Sequence, residues 1–415
     1  TNVTAAGGHL HFAKDAAQAN EIVAHIARTR NVKVATKSKS MVSEELALNP
    51  VLESLGVEVW ETDLGEYIIQ LAEETPSHLV APALHKSKED VAELFTEKLG
   101  IPYDEDIFHM AATARTVLRD KFMEADLGIS GANFVVAETG TLVIFTNEGN
   151  GRLCTSAPRI HIGITGMEKV IPSMQDMAVF IRLLPRSATG QRITSYLSMV
   201  TGPRRSDDED GPEEFHLILV DNGRSRMLAD PALREALYCI RCGACLNICP
   251  VYQRIGGHAY GWVYPGPIGA VVTPNLIGLK QASKLPQASS LCGACREVCP
   301  VKIDIPRMLL DLRKKTVESP DKSQRSAPMI ERTFARLYVK LMSSPRMLDL
   351  AVRGGRFLQK VERLIPFSPL TKDDKWIKMA PLPPLSRWTR SRDLPMLPKQ
   401  TFHEVWKKEL SCGDS

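Results

Sequence analysis

The sequence predicts an α/β domain over residues 1–225, a strand-poor, glycine- and proline-rich unit over 226–315, and a helical and extended tail over 316–415. Three observations carry this division. Short apolar runs alternate with helix-period segments through the first half, and seven of the nine cysteines crowd into two runs near the middle. The final stretch alternates helix-like segments with proline-rich ones. At 415 residues the chain is also too long for one ordinary core.

In the first unit, AAQANEIVAHIARTR (16–30) repeats apolar residues at helical spacing, and NVKVATK (31–37) follows as a short strand. NPVLESLG (49–56) reads as helix, VEVWET (57–62) as strand, GEYIIQLAEET (65–75) as helix and SHLVAP (77–82) as another strand. Such alternation implies a mostly parallel sheet covered by helices. NFVVAETGTLVIFTNEGNGR (133–152) differs: two β-rich runs with glycine-dense ends suggest a hairpin. GPRRSDDEDGPEEF (202–215) is an acidic surface loop bounded by Gly-Pro pairs, and HLILVDNG (216–223) is one more strand. In the tail, ERTFARLYVKLM (331–342) and MLDLAVRGGRFLQKVERLI (347–365) read as helices, with APLPPLSRW (380–388) and LPMLPKQ (394–400) extended.

Bulk composition narrows the function classes. The net charge of +4 argues against a dedicated nucleic-acid binder. It conceals an asymmetry: residues 313–415 hold 22 Lys and Arg against 11 Asp and Glu, a net of +11, leaving −7 for the rest. A basic tail beside an acidic body suggests a docking surface, although solvated faces look the same. No run of about 18 apolar residues appears, so no transmembrane helix is expected. No signal-peptide pattern precedes the first helix, and Thr1 in place of Met suggests a missing start. Clustered thiols without a secretory signal favour metal ligation in the cytoplasm over disulfides.

The first cysteine run is C-x2-C-x2-C-x3-C-P, formed by Cys239, Cys242, Cys245, Cys249 and Pro250. The second repeats its latter part with Cys292, Cys295, Cys299 and Pro300, and alignment puts Ser289 where the opening cysteine would stand. In two-cluster ferredoxins this spacing sends the fourth cysteine to the other cluster. One 4Fe-4S cluster then takes Cys239, Cys242, Cys245 and Cys299. The other takes Cys249, Cys292 and Cys295 and lacks a thiolate. Its fourth ligand stays open between an oxygen such as that of Ser289, a distant side chain, a partner's residue, or none in a three-iron cluster. Zinc knuckles are the alternative, but seven thiolates with a proline after each run fit paired tetrahedral sites poorly. Cys154 and Cys412 read as ordinary thiols.

Between and around these runs lies a set of motifs that resembles the lactate-utilisation iron–sulfur protein B family. GGHAYGWVYPGPIGAVVTP (256–274) and ASSLCGACREVCPVKIDIP (288–306) carry the likeness most strongly. It extends upstream through SKSMVSEE, ETDLGEYIIQL, GANFVVAETGTLV, TNEGNGR, LLPRSATGQ and TGPRR, and into the tail as RDLPMLPKQTFHEVW. The resemblance implies a lactate-utilisation domain related in fold to the ribose-5-phosphate isomerase and CoA-transferase group, then a helical two-cluster ferredoxin domain and a family-specific tail. It also implies electron transfer in a system oxidising L-lactate to pyruvate. Two other subunits are expected there, a cysteine-rich-domain protein and a second lactate-utilisation-domain protein. The three-cysteine second run is itself typical of the family.

Catalytic residues are less legible. In AETGTLVIFTNEGNGR, Gly140, Gly149 and Gly151 would let backbone approach a ligand, with Glu138, Asn147, Glu148, Asn150 and Arg152 as polar contacts; the glycines equally serve as turns. Glu138 is a candidate acid or base. KSKSM offers Lys37 as a second candidate, with Lys39 and two serines, where anions bind after strands, although a solvated loop is the commoner reading of such a segment. Arg159 and His161 are candidates for the same cleft, although His161, alternating with apolar residues on a strand, reads first as a core histidine; Arg186, Ser187 and Thr189 are candidates for holding a carboxylate. His258, Tyr260, Trp262 and Tyr264 read as packing around the metal centres. No phosphate loop, dinucleotide fingerprint or nucleophile elbow is present. Lactate oxidation removes two electrons, so a flavin or other two-electron centre is expected on a partner. The alternative is that the first domain acts on a small hydroxy acid or a CoA or phospho-ligand, with the clusters as its electron exit.

Overall fold

Strands organise the first half of the chain: β1 (His9–Ala13), β2 (Val34–Lys37), β3 (Glu58–Glu61), β4 (Leu127–Gly131), β5 (Phe134–Val136), β6 (Thr141–Thr146), β7 (Ile160–Gly166), β8 (Val170–Ile171), β9 (Tyr196–Val200) and β10 (Glu214–Val220). The structure is a computed structural model that describes residues 2–319, 321, 328–362, 376–377 and 385–410. Contacts divide it into two units, Thr1–Ser326 and Ala327–Ser415.

Six strands form a parallel sheet in the order β1-β10-β7-β4-β2-β3. Every residue of β7 is buried, the pattern of a central strand covered on both faces. The helix Ala16–Thr29 begins where Asp15 accepts the Gln18 N–H at 2.9 Å and turns Ala19, Val23 and Ala27 onto the sheet. A second sheet, ordered β8-β5-β6-β9, holds the expected hairpin, with Val136 opposite Thr141. Gly140 closes that hairpin at φ +71°, and a Cβ there would meet the Val3 nitrogen at 2.5 Å.

SHLVAP (77–82) forms no strand. Its apolar Leu79 packs instead into the core of the cysteine-rich region, and the Ser77 carbonyl accepts the Tyr252 hydroxyl at 2.7 Å. An apolar run of that length satisfies either a sheet or another core, and here the cysteine region claims it. The strand β1 and the helix Met174–Thr189, by contrast, stood outside the sequence reading.

The cysteine-rich region has its own core, built around the helix Gly266–Leu276, of which nearly every residue is buried. Small residues make that burial possible: a Cβ on Gly269 would lie 1.7 Å from the Tyr264 carbonyl oxygen. This region lies within the same unit as the sheets. The second unit holds the amphipathic helices Met329–Met342 and Pro345–Glu362, as the tail periodicity predicts as far as residue 362. Cys412, residues 363–365 of the second tail helix and residues 380–384 of the extended stretch lie outside the described residues. Among the described residues no helix is long and apolar enough to cross a membrane.

Candidate metal centres

The two cysteine runs fold alike. Each places a residue at positive φ before its C-G-A-C core, Arg241 at 61° and Leu291 at 56°, and a left-handed glycine within it, Gly243 at 77° and Gly293 at 88°. Each then enters a short helix, Ala244–Asn247 or Ala294–Glu297. Backbone N–H groups in and after these turns point toward sulfur. Cys239 Sγ accepts from Arg241 N at 3.4 Å, Cys249 Sγ from Tyr252 N at 3.5 Å, and Cys299 Sγ from Ile303 N at 3.4 Å.

Cys239, Cys242, Cys245 and Cys299 line one small cavity, otherwise walled by apolar groups such as Leu79, Ile240, Ile268 and Ile303. Cys295 has Cys249 and Cys292 as its charge neighbours, and Cys245 feels Cys295 across the gap between the sets. Burial pushes the Cys242 and Cys295 thiols up to about 11. Exposed Cys292 is held low instead, chiefly by the Ala294 N–H. Loading metal must therefore expel protons from buried thiols. Among the described residues no three His, Cys, Asp or Glu side chains gather closely enough to hold a single ion. Tetrahedral zinc needs sulfurs about 3.8 Å apart, from Zn–S bonds of about 2.3 Å. The all-sulfur donor set and the apolar walls fit iron–sulfur clusters, whose thiolates each bind a separate iron.

Ser289 sits in the position equivalent to Cys239, its Oγ accepting from Leu291 N at 3.1 Å. Cys154 is fully buried against the Thr62 hydroxyl at 3.3 Å, and burial pushes its thiol up to about 12, as for a packing residue.

Beside the first cysteine set opens a cleft of about 320 Å³. It lies past the C-terminal ends of β2, β4 and β7, where parallel sheets commonly place ligands. Ser38, Lys39 and Ser40 line it from the KSKSM segment; Asn147, Glu148, Asn150 and Gly151 line it from the glycine-rich turn; Thr189 lines it from the helix. Its far wall comes from the cysteine region, as Ile240, Arg241 and Tyr264. Sequence reasoning did not single out Arg241, Lys169 or Asp63, because only the fold brings them to this cleft.

Neither catalytic candidate lines it. Lys37 is fully buried, with its Nζ 2.5 Å from Glu44 and 2.7 Å from Glu61. Those carboxylates outweigh desolvation and hold the ammonium charged. Glu138 is exposed and accepts the Met174 N–H at 2.9 Å, capping the start of a helix. Arg152, Arg159, Arg186 and Ser187 also lie outside the cleft lining. His161 is a core residue: it is fully buried, bonded to Ser130 at 2.8 Å and stacked on Phe215. Tyr260 and Tyr264 are buried in packing, with the Tyr264 hydroxyl donating to Glu45 at 2.7 Å.

A buried charge network ties cleft to cysteine loop. Arg224 bonds Glu45 at 2.8 and 2.9 Å and Glu168 at 2.6 Å. Arg241 lies 3.6 Å from Glu168 and 4.2 Å over the Tyr264 ring. Burial opposes ionisation of Glu168, but Arg224, Lys169 and Arg241 outweigh it and keep the carboxyl below its ordinary range. Lys169 donates to the Cys239 carbonyl at 2.6 Å, and burial draws its ammonium down to about 8.

Comparison with known proteins agrees with both halves. The family profile described as LUD domain matches residues 1–220, and that described as 4Fe-4S dicluster domain matches residues 235–303. The chain is 47% identical over 375 residues to lactate utilization protein B of Bacillus velezensis, covering 90% of this chain and 76% of that protein. It is 46% identical over 375 residues to the Bacillus subtilis protein of the same name, with the same coverage. Against its Geobacillus thermodenitrificans counterpart it is 48% identical over 347 residues, covering 83% of this chain and 72% of that protein.

Proposed function

The chain belongs to the lactate utilization protein B family, carrying LUD and 4Fe-4S dicluster domains in that order, and we propose that it is the iron–sulfur electron-transfer subunit of a system oxidising L-lactate to pyruvate. The relatives' shared name supports the lactate assignment. The observation that carries the electron-transfer reading is the sorting of the cysteines. Cys239, Cys242, Cys245 and Cys299 share one cavity, and Cys249 and Cys292 surround Cys295. We assign the first four to one 4Fe-4S cluster and the other three to a second, with Ser289 occupying the slot of the fourth ligand. Domains running 1–225, 226–315 and 316–415 accommodate this assignment.

Clusters bound there supply one-electron transfer. The chain's own residues do the rest. N–H groups of Arg241, Tyr252 and Ile303 bond the ligating sulfurs and stabilise the more negative, reduced charge. Leu79, Ile268 and Ile303 exclude water from the first set. Cys292 is the exposed ligand, which makes its side of the second set the approach for a partner protein. The partners in this reading are a cysteine-rich-domain protein and a second lactate-utilisation-domain protein, one of them holding the two-electron centre. Unpaired thiolate ligands suit the reducing cytoplasm.

Anaerobic purification tests the reading. The protein should be brown and hold about seven to eight irons per chain with matching acid-labile sulfide. Its visible absorbance should bleach on adding L-lactate only when both partners are present. Colourless protein with stoichiometric zinc, or absorbance that lactate never bleaches in the complete system, overturns it.

A further inference from the structure

Tyr260 is buried in the core of the cysteine region, and among the described residues its hydroxyl meets no acceptor in hydrogen-bond geometry. Tyr252, whose ring stands 6.2 Å from that of Tyr260, shows the ordinary arrangement: its hydroxyl donates to the Ser77 carbonyl at 2.7 Å. A buried donor without an acceptor is costly, and nearly all such groups in folded proteins are paired. The Tyr260 hydroxyl is therefore a donor whose acceptor has to be accounted for.

Its surroundings identify that acceptor. Tyr260 ends the short turn His258–Tyr260. Burial pushes its phenol up, and the charge of Cys249 adds to the push, ahead of Tyr252 and Cys245. The Cys249 sulfur is thus close to the hydroxyl without being aligned as its acceptor. Cys249 Sγ already takes the Tyr252 N–H at 3.5 Å, and a ligating thiolate has lone pairs for a second donor. The remaining neighbours in this core, among them Leu246, Cys295 and Cys299, are apolar groups or sulfurs. Sulfur is the acceptor at hand.

We propose that the Tyr260 hydroxyl is a positioning donor to the second iron–sulfur cluster, hydrogen-bonding Cys249 Sγ or a sulfide beside it, and that this bond favours the reduced form of that cluster. Reduction adds one negative charge, which spreads onto the sulfurs. A donor aimed at sulfur therefore gains more from the reduced form than from the oxidised one. No electron passes through the phenol and no proton leaves it; the bond lowers the energy of the reduced cluster without altering the path. The inference rests on the assignment of Cys249 to a cluster in the functional reading above. It does not depend on the lactate assignment or on the identity of the partners.

The test is a redox titration of the anaerobic, cluster-loaded full chain, followed by paramagnetic resonance, for the parent, Tyr260→Phe and Tyr252→Phe. Tyr260→Phe should keep the parent's iron and acid-labile sulfide. At the potential that half-reduces the affected cluster in the parent, its reduced-to-oxidised ratio should fall about tenfold, which is about 59 mV for a one-electron couple, while the other cluster's ratio stays within about twofold. Tyr252→Phe should leave both ratios as they were, since its hydroxyl serves the Ser77 carbonyl. Where Tyr260→Phe loses iron, fluorotyrosine placed at position 260 decides instead: its more acidic hydroxyl is the stronger donor and should raise the ratio. Unchanged ratios in iron-loaded Tyr260→Phe overturn the inference, as does an equal shift from Tyr252→Phe or a fluorotyrosine protein with the parent's ratio. Unsubstituted protein that comes out colourless overturns the functional reading itself, and this inference with it, before any variant is compared.

Discussion

Ser289 and Cys239 hold the same place in two copies of one turn: each side chain accepts the N–H two residues on, Ser289 Oγ from Leu291 at 3.1 Å and Cys239 Sγ from Arg241 at 3.4 Å. At this position the two turns differ by an oxygen in place of a sulfur, with the same side-chain hydrogen bond kept. A hydroxyl there is a weaker, harder ligand than a thiolate.

Ser289→Cys should therefore complete the second set without disturbing the fold. Iron should rise to about eight per chain, and any signal of an oxidised three-iron species should vanish from the paramagnetic resonance spectrum. An unaltered spectrum and iron count would place the fourth ligand elsewhere.

Arg224 is buried between two carboxylates, Glu45 and Glu168, that belong to different parts of the first unit. Arg224→Met leaves both acids without their main cation. Removing one partner of a buried pair costs about 3–5 kcal/mol, and chemical denaturation of the holoprotein should register a loss of that order.

Lys37 is likewise structural. Lys37→Met should destabilise the protein by about 3–5 kcal/mol, since Glu44 and Glu61 lose their shared ammonium. Glu138→Gln, at an exposed helix cap, should change stability by about 1 kcal/mol or less.

Gly269→Ala should be disproportionately damaging for one methyl group. The added Cβ would overlap the Tyr264 carbonyl at 1.7 Å inside the helix that backs the first cysteine set. A fall in iron content together with a lower melting temperature is expected; iron content equal to the parent's would contradict the packing described.

Buried His161 predicts an acid limb in stability. Burial draws its pKa down to about 3 from 6.5, with a further push from His216. The folded protein then keeps it neutral where the unfolded chain takes up a proton. Its stabilisation is full above about pH 6.5 and is lost as pH falls toward the folded value, at up to about 1.4 kcal/mol per pH unit. Denaturation midpoints compared at pH 7 and pH 5 should show the fall, and His161→Phe should flatten it.

The metal centres were legible because their chemistry is local. Cys-x2-Cys spacing, left-handed glycines and a following proline make the same turn wherever they occur, so seven candidate ligands could be named from spacing. The strand–helix alternation of the first unit was legible for a similar reason, since periods of 2 and 3.6 follow from backbone geometry. SHLVAP was misread because a short apolar run records only that it is buried, not against what. Lys37 and Lys39 illustrate the same limit at the level of single residues. They are two positions apart in one anion-binding pattern, yet one is locked under Glu44 and Glu61 and the other lines the cleft.

The amino-acid order alone determined two cysteine runs with the spacing of two-cluster ferredoxins and, before them, a parallel α/β sheet, since both depend on interactions between near neighbours. That Arg241 and Ile240 wall a cleft formed by strands ending at residues 37, 131 and 166 was decided only by the packing of the two regions. Ser38 and Arg241, far apart in the chain, line one cleft, and no local pattern encodes that.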